Sequence, residues 1–536
     1  MKVRGARLVV GMLAAGLMSV SAAAVLAAGG GDNWSSAGHD VRNTRYTSTE
    51  HDIGTGNVGG LVEQWVLHTV GDVSATPAVD DTTVYVPDFA GNLYAIDRAT
   101  GAVRWQKSLS ADYGLPPGDH ARATPAIAGN LLIFGDQSGK LGPTVNQGNI
   151  LAVDKRTGAL AWRTAFTDVA PIVTQSAVVQ GTTAYVGVAS YEEVWARFLP
   201  PEGCCFFRGS VMALDVRTGA IKWKTYTAPA PTGAANDGYT GNAVWGSTAA
   251  IDSKRGQLYV ATGNNYSVPA SVTACVLANP DNAAACIDPS NHFDSILALD
   301  LTTGAIRWAT KALPFDAWNV SCGLPIPGFD DETENCPEGH GPDFDFGQGP
   351  ALFTVRDARG KVRDLVGAGQ KSGRYWALDP ATGAVVWSTQ VSPGGLTGGL
   401  QWGSATDGTR VYVANSNSGF APWVLQNGST VNYGGWSALD AATGQILWET
   451  PNPGFAQAMG PVSAANGVVY GCSLDSNGHQ IAMNAATGAI LWDHPSGAAC
   501  LGGAAISNGQ VFWGTGYDLL TLPDDDQALW AFKLPG

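Results

Sequence analysis

The sequence predicts an all-β fold, an eight-bladed β-propeller. Three observations carry that prediction: a hairpin motif that recurs seven times, strand-like segments near both ends that can share one blade, and no stretch that reads as a long amphipathic helix. The clearest copy of the motif is Leu93–Trp105, in which Asp97 and Trp105 stand eight residues apart with Thr100-Gly101 between them. The same step joins Asp154 to Trp162, Asp215 to Trp223, Asp300 to Trp308, Asp379 to Trp387 and Asp440 to Trp448. In the last copy Asn484 replaces the Asp and leads to Trp492. A fixed period of this kind marks repeated supersecondary units.

Each copy has a mechanical reading. Alternating apolar residues before the Asp make a half-buried strand. The Asp-x-x-Thr-Gly stretch is turn chemistry: the carboxylate accepts from nearby backbone N–H groups, and Gly supplies a positive φ. A second strand follows and ends on a Trp, which buries a large area and carries an N–H that needs an acceptor. One hairpin cannot bury its own apolar face, so seven must pack on one another around an axis. Trp65, with its apolar neighbours, reads as a strand of an incomplete blade, and Ala528–Leu534 reads as another. Pairing the two closes the ring, gives the eighth blade and removes a sheet edge.

The chain of 536 residues divides into a secretory signal peptide, residues 1–28, and a single propeller domain, residues 29–536. Lys2, Arg4 and Arg7 precede an apolar run from Leu8 to Val20 and a small-residue stretch from Ala22 to Ala28. The expected location is therefore periplasmic or secreted, without stable membrane insertion. Cleavage moves the formal charge from −15 to −18, because those three cations leave with the signal. So acidic a chain repels nucleic acid. Eight cysteines in an exported chain point to disulfides. Local pairing would give Cys204–Cys205, Cys275–Cys286, Cys322–Cys336 and Cys472–Cys500, although sequence leaves the connectivity open.

The spacing between repeat acids is uneven. It is about 60 residues early, about 80–85 between Asp215 and Asp379, and about 44 near the end. A plain four-stranded blade needs roughly 40–50 residues. The surplus lies in Tyr191–Phe207, Ser267–His292 and Leu313–Gly349, and long loops on a rigid scaffold are where function concentrates.

The repeat, the export signal and a lead-in reading Trp34…Gly38-His39-Asp40…Asn43-Thr44-Arg45-Tyr46 together resemble the quinoprotein alcohol dehydrogenases. Tyr191-Glu192-Glu193, Cys204-Cys205…Arg208-Gly209, Ala261–Ser267, Asp316–Asn319, Pro342–Gly347 and Gln401-Trp402-Gly403 are most similar to the polyvinyl alcohol dehydrogenase branch. The resemblance implies a site for pyrroloquinoline quinone (PQQ) with Ca2+ or a lanthanide. It also implies an alcohol substrate, including a polymer such as polyvinyl alcohol, and a c-type cytochrome as electron acceptor.

Such a site needs an aromatic face, cations for the cofactor's carboxylates, a hard cation and a carboxylate base. By resemblance the metal ligands are Glu192, Asn264, Asp343 and Asp345. Asp343 is the expected base and Asp345 its neighbour, with the reverse order open. Asn319 stands where the family has an acid, and an amide cannot serve as base. Arg122 and Lys371 match the positions that meet the cofactor's carboxylates. Thr174 is a hydroxyl contact, Trp245 the stacking platform, and Glu192 a cofactor contact as well as a ligand. Arg208 is expected to orient Glu192. The vicinal pair Cys204 and Cys205 either lies beside the cofactor or stiffens a loop. Two other functions share this scaffold: a non-catalytic envelope propeller that assembles or binds, and a quinoprotein acting on a sugar or small primary alcohol.

Overall fold

The computed structural model describes residues 33–137, 148–200, 203–231, 238–325, 328–357, 359–517 and 526–536. The expected signal peptide, residues 1–28, lies outside the described residues. Eight four-stranded antiparallel blades form the body, so the expected architecture stands. The first blade comprises Ala78–Val79, Thr83–Pro87, Asn92–Asp97 and Val103–Ser108, from the axis outward. The middle strands are almost wholly buried and the outer strand is largely exposed, because only the middle ones are packed by blades on both faces. Closure occurs as the sequence predicts: Val62–His68 pairs antiparallel with Ala528–Lys533 in the eighth blade.

The Trp of each repeat fastens one blade to the next. Trp105 Nε1 donates to the Lys155 carbonyl at 3.1 Å, Trp162 to Val216 at 2.8 Å and Trp223 to Leu301 at 3.1 Å. Each acceptor is the residue just after the next repeat's Asp. Trp65 supplies the eighth such bond, to Arg98 at 3.0 Å, and Trp492 closes the ring on Leu61 at 3.2 Å. The turn glycine lies against the Trp ring. At Gly219 φ is +71° and a Cβ would sit 2.5 Å from Trp162, so both backbone and space demand glycine. A further link was not anticipated. The residue two past the Trp is Thr in five blades, and its hydroxyl donates to that glycine's carbonyl at 2.7 Å in each, Thr164 to Gly219 being one.

The lead-in is no loose approach. It runs across the ring's interior and offers carbonyls to the innermost strands of six of the eight blades: Trp34 to Val79, Ser35 to Ile127, Val41 to Ile251, Arg42 to Leu352, Thr44 to Thr406 and Arg45 to Ala464. Arg45 is buried and donates to the Val462 carbonyl at 2.7 Å and to Thr76 at 3.0 Å.

All four local disulfides form. The insertions carry short helices, Glu192–Trp195 and Ala270–Ala278. No helix among the described residues is long and apolar enough to cross a membrane. Strand alternation sorts the loops. The Asp-x-x-Thr-Gly turns join third to fourth strands at one end of the ring. Connections from second to third strand, and from one blade to the next, lie at the other end.

Candidate active site

All the expected site residues sit on that second end. Arg122, Thr174, Trp245, Asp343 and Asp345 precede the innermost strands of their blades. Glu192, Cys204, Cys205, Arg208, Asn264 and Lys371 lie between second and third strands. The structure brings most of them together.

The centre is a group of three acids: carboxylate oxygens of Glu193, Asp343 and Asp345 lie within 4.8 Å of one another. Lys371 Nζ is 2.9 Å from both oxygens of Asp343 and 3.5 Å from Asp345. Asp345 also accepts from the Asn264 backbone N–H at 2.7 Å and from Trp245 Nε1 at 2.8 Å. Burial, then the neighbouring Asp345, pushes Glu193 up to about 8. Burial pushes Asp343 well above the usual carboxylate range, and Lys371 opposes that shift. Desolvation alone would lower Lys371, but Asp343 and Asp345 more than reverse it, so its ammonium is retained.

Aromatic and cationic groups flank the acids. Lys371 Nζ lies 5.5 Å from the centre of the Trp245 ring, and Trp245 meets Trp402 edge-on at 5.2 Å. Arg122 stacks over Trp402 at 4.4 Å and donates to the Tyr517 hydroxyl at 3.1 Å. Thr174 donates to the Trp245 carbonyl at 3.0 Å.

Two expectations shift. Glu192 does not share the acid group. It is buried and accepts from the backbone N–H groups of Phe206 and Phe207, at 2.8 and 2.7 Å, beside Cys204 and Cys205. The next residue, Glu193, points to the acids instead, because neighbours on a helical turn face directions about 100° apart. Arg208 is not brought to Glu192: it stacks on Tyr226 at 3.9 Å.

Sequence reasoning also left out Asp316, which holds the loop that presents the acids. Its carboxylate accepts from the N–H of Asp343 at 3.2 Å and of Phe344 at 2.7 Å. Asp343 has φ +58°, a backbone state that this clamp supports. Trp402 was legible as a Trp outside the repeat, in Gln401-Trp402-Gly403. Glu193 was legible only as the second acid of its pair.

The donor set fits a hard cation. Every candidate ligand atom is oxygen, and three carboxylates face one ammonium. Asn264 Oδ1 is buried without a hydrogen-bond partner, while its Nδ2 donates to the Trp318 carbonyl at 2.8 Å. A buried orphan acceptor is rare unless an ion or water meets it. Trp245, with Lys371 near its ring and Arg122 beyond it on Trp402, fits a flat anionic ring system.

A tryptophan-docked ring of eight blades, with acids, cations and aromatics gathered at one end, defines a propeller of the quinoprotein type. The chain belongs to the PQQ_2 family, whose model, described as outer membrane protein assembly factor BamB, matches residues 20–310 and 371–534. It is similar to the polyvinylalcohol dehydrogenase of a Pseudomonas sp, at 29% identity over 472 residues, 83% of this chain and 65% of that protein. It is also similar to the polyvinylalcohol dehydrogenase of Sphingopyxis sp. (strain 113P3), at 29% over 434 residues, 79% of this chain and 60% of that protein. The chain thus spans less than two thirds of the length of these relatives. Among solved structures, the quinohemoprotein alcohol dehydrogenase from Comamonas testosteroni superposes with TM-score 0.67 at 19% identity, covering 94% of this chain and 81% of the other. A europium-containing methanol dehydrogenase superposes with TM-score 0.66 at 18% identity, covering 94% of this chain and 98% of the other. These structures share the fold.

Proposed function

We propose that the chain is a PQQ- and metal-dependent dehydrogenase that oxidises a secondary alcohol, polyvinyl alcohol among its substrates, to the ketone. The observation that supports this most is the group formed by half-buried Glu193 with buried Asp343 and Asp345, with Lys371 and Trp245 against it and the unpartnered Asn264 oxygen nearby. A scaffold has no use for so many desolvated acids in one place, since burying charges without a partner destabilises the fold.

Glu193, Asn264, Asp343 and Asp345 would hold the cation, and Arg122, Thr174, Trp245 and Lys371 would hold the cofactor. When bound, PQQ supplies the hydride acceptor and the cation the Lewis acid. Asp343 is the base that takes the hydroxyl proton. Lys371, 2.9 Å from both its oxygens, opposes the effect of burial on that carboxyl and orients it. Asp316 fixes its backbone, and Trp245 holds Asp345 through its indole N–H. The calcium or lanthanide choice, the c-type cytochrome acceptor and the periplasmic or secreted location belong to the same proposal. The acidic surface suits a basic cytochrome.

The test is reconstitution of purified protein with PQQ and either Ca2+ or a light lanthanide, followed by dye-linked assay on secondary alcohols. Turnover that requires both components supports the reading. Failure to bind the cofactor with either metal overturns it in favour of a non-catalytic propeller, the role that the family description names.

A further inference from the structure

The three segments that interrupt the repeat line an open cavity of about 370 Å³. Every residue lining it belongs to Tyr191–Phe207, Ser267–His292 or Leu313–Gly349. The volume falls in the range of small-ligand sites, roughly 300–1,000 Å³. The walls are tied in place. Cys275–Cys286 and Cys322–Cys336 staple two of the segments, and Asn335 Nδ2 donates to the Ala196 and Leu199 carbonyls at 2.8 and 2.7 Å, joining the third to the first.

The cavity lies at the end of the ring that carries the site. Cys204 and Cys205 line it, and their sulfurs lie within 4.8 Å of the Glu192 carboxylate, next in sequence to Glu193. It is not the cofactor's seat. Its charged lining residues, among those described, are Glu334 and Glu338, which would repel a tricarboxylate. The wall is otherwise of mixed character: Val268, Ala274 and Leu277 are apolar, while Thr273 and Asn335 offer hydrogen bonds. Carboxylates accept from hydroxyls, and the apolar wall covers methylenes.

We propose that this cavity is a subsite for the unreacting part of the substrate, a neutral carbon chain bearing hydroxyl groups. The inference rests on the alcohol dehydrogenase reading and deepens it, because it says what the insertions add to a common scaffold. A short alcohol would reach the acids without using the cavity, whereas a long one would gain affinity from it.

Two exposed positions on the Ala270–Ala278 helix provide the test, Ala274→Trp and Leu277→Trp. Both keep the fold intact by thermal melting if the helix tolerates a larger side chain, and either alone suffices. With holoenzyme, KM for a short oligomer of vinyl alcohol rises about tenfold, a loss of about 1.4 kcal/mol. Values of kcat, and both constants for a small secondary alcohol, stay within about twofold. Calorimetric titration of the oligomer onto the protein shows the same about tenfold weakening. Unchanged oligomer KM and affinity, or equal loss on both substrates, overturns the subsite. Oligomer binding weakened by the variants in a protein that oxidises no alcohol retires the enzymatic reading and leaves the subsite standing. No oligomer binding to the unaltered chain overturns the subsite.

Discussion

The two ends of the ring use the same side chain in opposite ways. At the turn end, Asp97 is held low, at about 2, by Arg104 and then by Thr100. Asp300 also lies below the usual carboxylate range, held by Arg307 and then by Thr303, and Asp154 and Asp215 lie below it while accepting from the turn's own N–H groups. At the other end, burial drives Glu193 and Asp343 up, and Asp316 to about 6. Asp294, fully buried against Asp316, is pushed well up too. Turn acids are satisfied locally and favour the fold when charged. Site acids are crowded, dry and destabilising unless a cation joins them. What an acid does here is decided by its solvation and neighbours, which the repeat specifies at one end and the insertions specify at the other.

The contrast is broken most forcefully at Asp343. Asp343→Asn should lower dye-linked kcat of the holoenzyme by about 10²–10⁴, the range of a lost general base, while the melting temperature holds or rises. Asp345→Asn should lose less turnover but more metal affinity. If both variants keep full turnover, the base lies elsewhere.

At the turn end the largest effect should come from glycine. Gly219→Ala meets both a left-handed φ and the Trp162 ring, and should destabilise by about 2 kcal/mol or more. The measurement is a shift in denaturant midpoint, with site affinity for PQQ unchanged.

Asp136 sharpens the comparison through pH. Burial raises its carboxyl to about 7 although Asn149 donates to it. Its folded-state value lies above the unfolded one, so its contribution is fully present below about pH 4 and is lost as pH rises toward 7. Asp136→Asn should therefore gain on the parent chain across that window when melting temperatures are compared at each pH. A constant difference across the window would contradict the assignment.

The smallest effect should be Asp97→Ala, about 0.5 kcal/mol or less, because the carboxylate and Arg104 are both partly exposed. Its folded-state value is depressed, so this contribution is present above about pH 4 and fades as pH falls toward 2. An Asp97→Ala loss as large as that of Gly219→Ala would show that the turn carboxylate carries more than its local bonds.

The scaffold was legible because its chemistry repeats. Seven Asp-to-Trp steps named the blades, and Trp65 with Ala528–Leu534 named the closure. The partner of each Trp was not legible, since it lies one blade away, and neither was the course of the lead-in, whose carbonyls serve six blades. In the site, Asp343, Asp345, Asn264, Trp245 and Lys371 were named by resemblance, and the fold brings them together. The shift from Glu192 to Glu193 lay beyond the sequence because Tyr191–Phe207 has no repeat to fix which side of a one-turn helix faces the axis. Arg208 was expected at Glu192, but Tyr226 on the neighbouring outer strand offers its guanidinium a ring face.

The account stands most directly on cation binding. Calorimetric titration of Ca2+ and, separately, La3+ onto the chain should give one site, with affinity at least about tenfold weaker in Asp343→Asn/Asp345→Asn and unchanged in Asp97→Asn/Asp300→Asn. Binding of neither ion, or equal binding in both double variants, would contradict the division between turn acids and site acids.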